Sequence, residues 1–214
     1  EFVLGHNLLG HDFPVLESFA PHLRLLQKPV VDTLYLSPLA FPENPYHRLV
    51  KDYKLVRDSI NDPVADARLA ASVLCDQWDS FTALGETEKD VLSFFRYCFD
   101  QSGHSSLRSE GLKEVFTALG APLISENDAF AIFQAHAQGR ACETAVVMVS
   151  SKYLLDPEKR PALAYCLAWL RVAGHNSVLP PWVRHRFHDV VPILRELRDV
   201  PCSNPSCGWC QTTH

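Results

Sequence analysis

The chain has 214 residues, 47% of them hydrophobic, enough for one medium domain or two small ones with a buried core. A formal net charge of −5 argues against a basic protein that coats nucleic acid, yet not against a metal-dependent nuclease, which keeps acids at its site and bases along the substrate path. No run approaches the ~18 apolar residues of a membrane span, and no basic segment followed by an apolar block opens the chain, so a soluble, cytoplasmic protein without a membrane partner is expected.

In chain order, Phe2 to Leu4 reads as a short apolar strand. The apolar positions Val15, Leu16, Phe19, Leu23 and Leu26 read as a helix. Pro29 to Leu34 reads as a second strand, so residues 1–36 form strand, helix, strand, one half of an α/β layer. Three prolines make residues 37–48 a loop. Asp62 as N-cap and Pro63 at the first helical position then open a helix, with Val64, Ala67, Ala71, Leu74, Trp78 and Phe81 as its buried stripe. Beyond Glu86 the periodicity is helical over 86–100, 109–119, 125–137 and 160–172, and only Thr144 to Val149 reads as a strand. Gly103, Gly120, Gly139 and Gly174 punctuate these segments. Pro180-Pro181 opens the last helical stretch, and Pro192 is expected to break or kink it. A boundary falls near residues 83–87, and Trp78 and Trp169 are expected in the core.

The segment Gly5-His6-Asn7-Leu8-Leu9-Gly10-His11-Asp12 joins the first strand to the first helix. Open α/β sheets bind ligands at such junctions. The pattern H-N-x-x-x-[FH]-D resembles the second motif of the DnaQ-like, four-acidic-residue (DEDD) 3′→5′ exonucleases. The second strand's Asp32-Thr33 and the helix start Asn61-Asp62-Pro63-Val64-Ala65-Asp66 resemble the later motifs of that family. The resemblance covers about the first 80 residues. It implies a truncated RNase H-like core, with Asp12 and Asp66 as catalytic ligands of Mg²⁺ or Mn²⁺ and Asn61 where the family's histidine branch places its general base. Asparagine takes no proton at neutral pH. The family's first motif, Asp-x-Glu, is absent, so the chain alone is expected to be inactive as a nuclease. The plain alternative is that Asp12 caps the first helix and Asp66 is a first-turn dipole partner, with no metal.

Cys202, Cys207, Cys210 and His214 form C-x4-C-x2-C-x3-H, a spacing that wraps a tetrahedral Zn²⁺. The rival sets are three thiolates with a distant Cys or an iron–sulfur cluster, and the plain alternative is a reduced flexible tail. Cys75, Cys98, Cys142 and Cys166 lie in apolar segments and read as small core residues. Arg184, Arg186, Arg195 and Arg198, with His185, His188 and Trp182, are the basic-aromatic concentration, either a face for phosphates and bases or a solvated helix surface. His104, His136 and His175 read as surface or capping residues.

The expected architecture is therefore a partial exonuclease-like α/β domain (1–84), a helical connector (85–200) and a zinc-binding segment (201–214). The arrangement resembles the modules that precede the motor in certain bacterial RecQ-family helicases. That resemblance implies DNA repair, single-stranded DNA or DNA ends as partner and a covalently linked helicase domain. No G-x-x-x-x-G-K-[ST] loop is present, so ATP hydrolysis is not expected of these residues. The alternative function is an inactive DNA-docking or protein-interaction domain with a structural zinc.

Overall fold

The computed structural model describes residues 1–44, 62–100, 110–172 and 179–214, so Gly103, His104, Gly174 and His175 lie outside the described residues. Two parallel strands, β1 (Val3–Gly5) and β2 (Val30–Asp32), pair with Val3 opposite Val30 and Gly5 opposite Asp32. Between them run a π-helical turn (Leu8–Asp12), α1 (Phe13–Phe19) and a 3₁₀ turn (Arg24–Gln27). The strand, helix, strand order is as expected, but α1 buries Phe13 and leaves Val15 and Phe19 exposed. Seven residues give it too short a face for the expected stripe, and the chain turns off before Leu23 and Leu26.

The remainder is helical: α2 (Thr33–Ala40), α3 (Pro63–Thr87), α4 (Lys89–Phe99), α5 (Glu110–Ala118), α6 (Glu126–Ala137), α7 (Glu143–Tyr153), α8 (Arg160–Arg171), α9 (Pro181–Arg186), α10 (Val190–Arg198) and α11 (Gly208–Thr213). Helix α4 buries Val91, Leu92, Phe94, Phe95, Cys98 and Phe99 and packs against α3, α5, α6 and α8. From Val91 to Phe99 only Arg96 is not buried, which places α4 at the centre of the core. Phe116 of α5 meets Phe81 and Phe95 at ring-centroid distances of 5.3 and 5.7 Å, joining α3, α4 and α5. The fully buried Tyr165 hydroxyl of α8 donates to the Tyr35 carbonyl at 3.0 Å and ties α8 to α2. The expected boundary at residues 83–87 coincides with the end of α3, while one buried cluster extends across it from Leu9 to Cys207. No helix among the described residues is long and apolar enough to cross a membrane.

Several sequence expectations are corrected. Residues 37–40 are helical, not loop: α2 runs through Ser37 and accommodates Pro38. Thr144 to Val149 is not a strand but the body of α7. Its buried residues Ala145, Val146, Val149, Ser150 and Tyr153 recur at helical spacing, so tertiary packing overrides the β-branched composition. Asp62 does cap α3, its Oδ1 accepting from the Val64 and Ala65 amides at 3.0 and 3.1 Å. The buried face of α3 is rotated, however, to Ala70, Gln77 and Phe81 with Leu74 and Leu84 half-buried, and Val64 and Trp78 are exposed. The polar Gln77 hid that face from a hydrophobicity pattern: its Nε2 donates to the Thr33 carbonyl and to Ser37 Oγ, each at 2.7 Å. Pro192 sits in the first turn of α10, where its missing N–H is not needed, and the break between α9 and α10 precedes it.

Candidate metal centre and the Asp32 loop

Sequence order places Cys202, Cys207 and Cys210 in one short segment, and folding adds a fourth sulfur. Cys142, at the N-cap of α7, brings its Sγ to 3.9 Å from Cys207 Sγ, and Cys210 Sγ lies 3.7 Å from Cys202 Sγ. All four sulfurs are within 4.8 Å of one another. Four thiolates ~2.3 Å from a tetrahedral zinc stand ~3.8 Å apart, so the spacing fits that ion. Soft sulfur donors select zinc over Mg²⁺ or Mn²⁺.

The residues around the sulfurs hold them in place. The Cys142 amide donates to the Leu197 carbonyl at 2.8 Å, fastening the start of α7 to the end of α10. The Cys202 amide donates to Cys210 Sγ at 3.4 Å, and Asn204 Oδ1 accepts from the Ser206 amide at 3.0 Å to turn the chain back. Burial pushes the Cys142 thiol up to about 12, while a hydrogen bond with Thr144 and the Asn204 backbone hold Cys202 down at about 6. A bound divalent metal would deprotonate all four.

Two sequence expectations change here: Cys142, read as a core cysteine, joins the sulfur cluster, and His214 lies outside it. Four sulfurs already complete a tetrahedral set, and His214 Nε2 instead lies 3.2 Å from the Arg198 carbonyl at the end of α10. The signal for Cys142 is its position just before a helix, where amide groups favour a thiolate. Reading Thr144 to Val149 as a strand conceals it.

The Gly5 to Asp12 segment closes on a different carboxylate from the one the motif singles out. Asp32, fully buried at the end of β2, accepts from the Asn7 and Leu34 amides through Oδ1 at 2.8 and 3.0 Å and from the Leu9 amide through Oδ2 at 2.9 Å. Burial pushes its carboxyl up to about 6, outweighing the three amides that favour the charge, and the nearby Asp12 adds to the rise. The Thr33 hydroxyl donates to the Gly5 carbonyl at 3.2 Å, and His6 Nδ1 is 2.9 Å from that hydroxyl. Asn7 turns the loop with a left-handed φ of 66°. His6 and Asn7 therefore hold the loop against Thr33 and Asp32.

Asp12 is half-buried at the start of α1, without a side-chain capping bond, and Asp66 is half-buried in the first turn of α3. Asn61 lies outside the described residues. Among the described residues, neither Asp12 nor Asp66 belongs to a gathering of three or more potential ligands; the Cys cluster is the gathering found. The oxygen set that two Mg²⁺ or Mn²⁺ ions require is not assembled by the described residues alone.

The basic-aromatic concentration divides. Trp182 packs into the interior, 5.0 Å from the Tyr35 ring, and Arg186 is drawn to the Tyr35 hydroxyl. Arg184, Arg195 and Arg198 instead face a groove with Trp169 and Trp209. No family model, curated protein or solved structure matches this chain.

Proposed function

We propose that this chain is a DNA-processing module of exonuclease type that binds single-stranded DNA ends and is held together by a structural zinc. The observation that carries this reading is the parallel β1–β2 pair with the Gly5 to Asp12 segment closed over Asp32. Asp32 ends β2 under the loop that leads to Asp12, near enough for Asp12 to raise it, at the edge where open α/β sheets take ligands. Supporting it are the motif order from His6-Asn7 through Asp32-Thr33 to Asp66 and the presence of a basic-aromatic groove.

The second reading, a docking domain without nuclease chemistry, is favoured by the character of the one ligand cluster found among the described residues. A site of four thiolates is closed, leaving no open position for substrate or water. Binding of labelled single-stranded DNA, followed by release of 3′ nucleotides with Mg²⁺ or Mn²⁺, separates the two. Binding without release, measured with an upstream strand carrying Asp-x-Glu joined to the chain, supports docking. Release that Asp12→Ala or Asp66→Ala abolishes supports catalysis, and failure to bind single-stranded DNA overturns both.

A further inference from the structure

The groove is about 630 Å³ in volume and is walled by α8, α9, α10 and α11. Val191, Leu194, Arg195 and Arg198 recur along α10 at helical spacing, beside the face that buries Val190, Ile193 and Leu197. The Arg198 guanidinium lies 5.2 Å from the Trp169 ring centroid and 4.8 Å from that of Trp209, between two half-buried indoles. Arg184 of α9 and Arg195 are exposed. Three guanidinium groups thus meet one lining carboxylate, Asp199, on a chain whose net charge is −5. Glu196 reaches away to Lys152, 3.8 Å from its Nζ.

We propose that this groove is the binding surface for single-stranded nucleic acid, with Arg184 and Arg195 taking phosphates and the Trp169–Arg198–Trp209 stack receiving bases. This rests on the single-stranded DNA reading above and gives it a location. A local reversal of charge selects a polyanion, and aromatic faces select one that carries bases. An acidic peptide would use the charge and leave the indoles idle. The metal centre also enters: Trp209 lies between the thiolates Cys207 and Cys210, and its Nε1 donates to the Arg198 carbonyl at 3.4 Å. The segment that would hold the metal therefore carries one wall of the groove.

The test is fluorescence anisotropy of labelled oligo-dT on the zinc-loaded full chain over a range of salt. The double variant Arg184→Glu, Arg195→Glu should weaken binding about tenfold or more and flatten the dependence of log K on log salt by ~1.4, the contribution of two phosphate contacts to single strands. Trp209→Ala should weaken it about fivefold or more, and Trp209→Phe should retain most of the affinity. Lys89→Glu, on the exposed start of α4, should change nothing. Oligo-dT binding that ignores the double reversal overturns the groove and leaves the single-stranded DNA reading standing. Absence of binding by the unaltered chain overturns both, and competition by polyglutamate equal to that of unlabelled oligo-dT overturns the nucleic-acid assignment.

Discussion

Cys142 and Cys207 stand with their sulfurs 3.9 Å apart although 65 residues separate them along the chain. Both are buried, one at the N-cap of α7 and the other just before α11. The short C-terminal helix has no buried residue of its own, so its position depends on this sulfur contact and on its contacts with Arg198.

Purified protein should carry about one Zn²⁺ per chain by elemental analysis. Cys142→Ser and Cys207→Ser should each release it, because three sulfurs leave the ion incompletely held, whereas His214→Ala and Cys98→Ser should retain it. Zinc lost from His214→Ala and kept by Cys142→Ser would sink the four-sulfur assignment.

Asp32 should make stability depend on pH in an unusual direction for a carboxylate. Its folded value is raised from 3.8 to about 6, so between those values the folded chain holds a proton that the unfolded chain has released. Its contribution is fully present below the unfolded value and is lost as pH rises through about 6, a change of about 3 kcal/mol. Asp32→Asn cannot titrate, and one of its amide hydrogens would oppose a backbone N–H. Thermal melts should show the unaltered protein ahead of this variant at pH 4.5 by more than at pH 7; a gap that widens with pH would contradict the assignment.

Gly111 permits α5 to lie directly on β2. A Cβ there would fall 2.0 Å from the Val30 carbonyl oxygen, a rigid backbone atom. Gly111→Ala should destabilise the fold by ~3 kcal/mol or more, since the helix must lift off the strand. Gly120→Ala meets no neighbour and costs only its left-handed φ of 75°, about 1 kcal/mol. Urea titrations of the two variants should rank them in that order.

Gln77→Leu tests the polar link from α3 to α2. Losing its amide removes the donor to the Thr33 carbonyl and Ser37 Oγ, both buried, and should cost about 1–3 kcal/mol by urea titration despite the added hydrophobicity. A more stable leucine variant would show that the link contributes only specificity.

Much of the local structure was legible in the sequence. Asp62-Pro63 announced the start of α3 because capping and proline chemistry act within a few residues. The central helices α4 and α8 were recognisable from their apolar periodicity, which reflects the burial they undergo. The three clustered cysteines likewise announced most of the sulfur cluster, since their spacing is fixed by the chain.

Residues meeting across long sequence separations were not legible. Residue type alone made Cys142 a core cysteine and gave Gln77 no place on a buried face, and only packing set one beside Cys207 and the other against Thr33. The His6-Asn7 motif drew attention to Asp12, while the carboxylate its loop encloses is Asp32, 25 residues beyond Asn7. By itself the sequence determined what short-range chemistry controls: caps, turns, amphipathic faces and the spacing of neighbouring ligands. Which side chains share a site was fixed by packing, because burial, pKa and ligand geometry depend on distances through space that the order of residues does not contain.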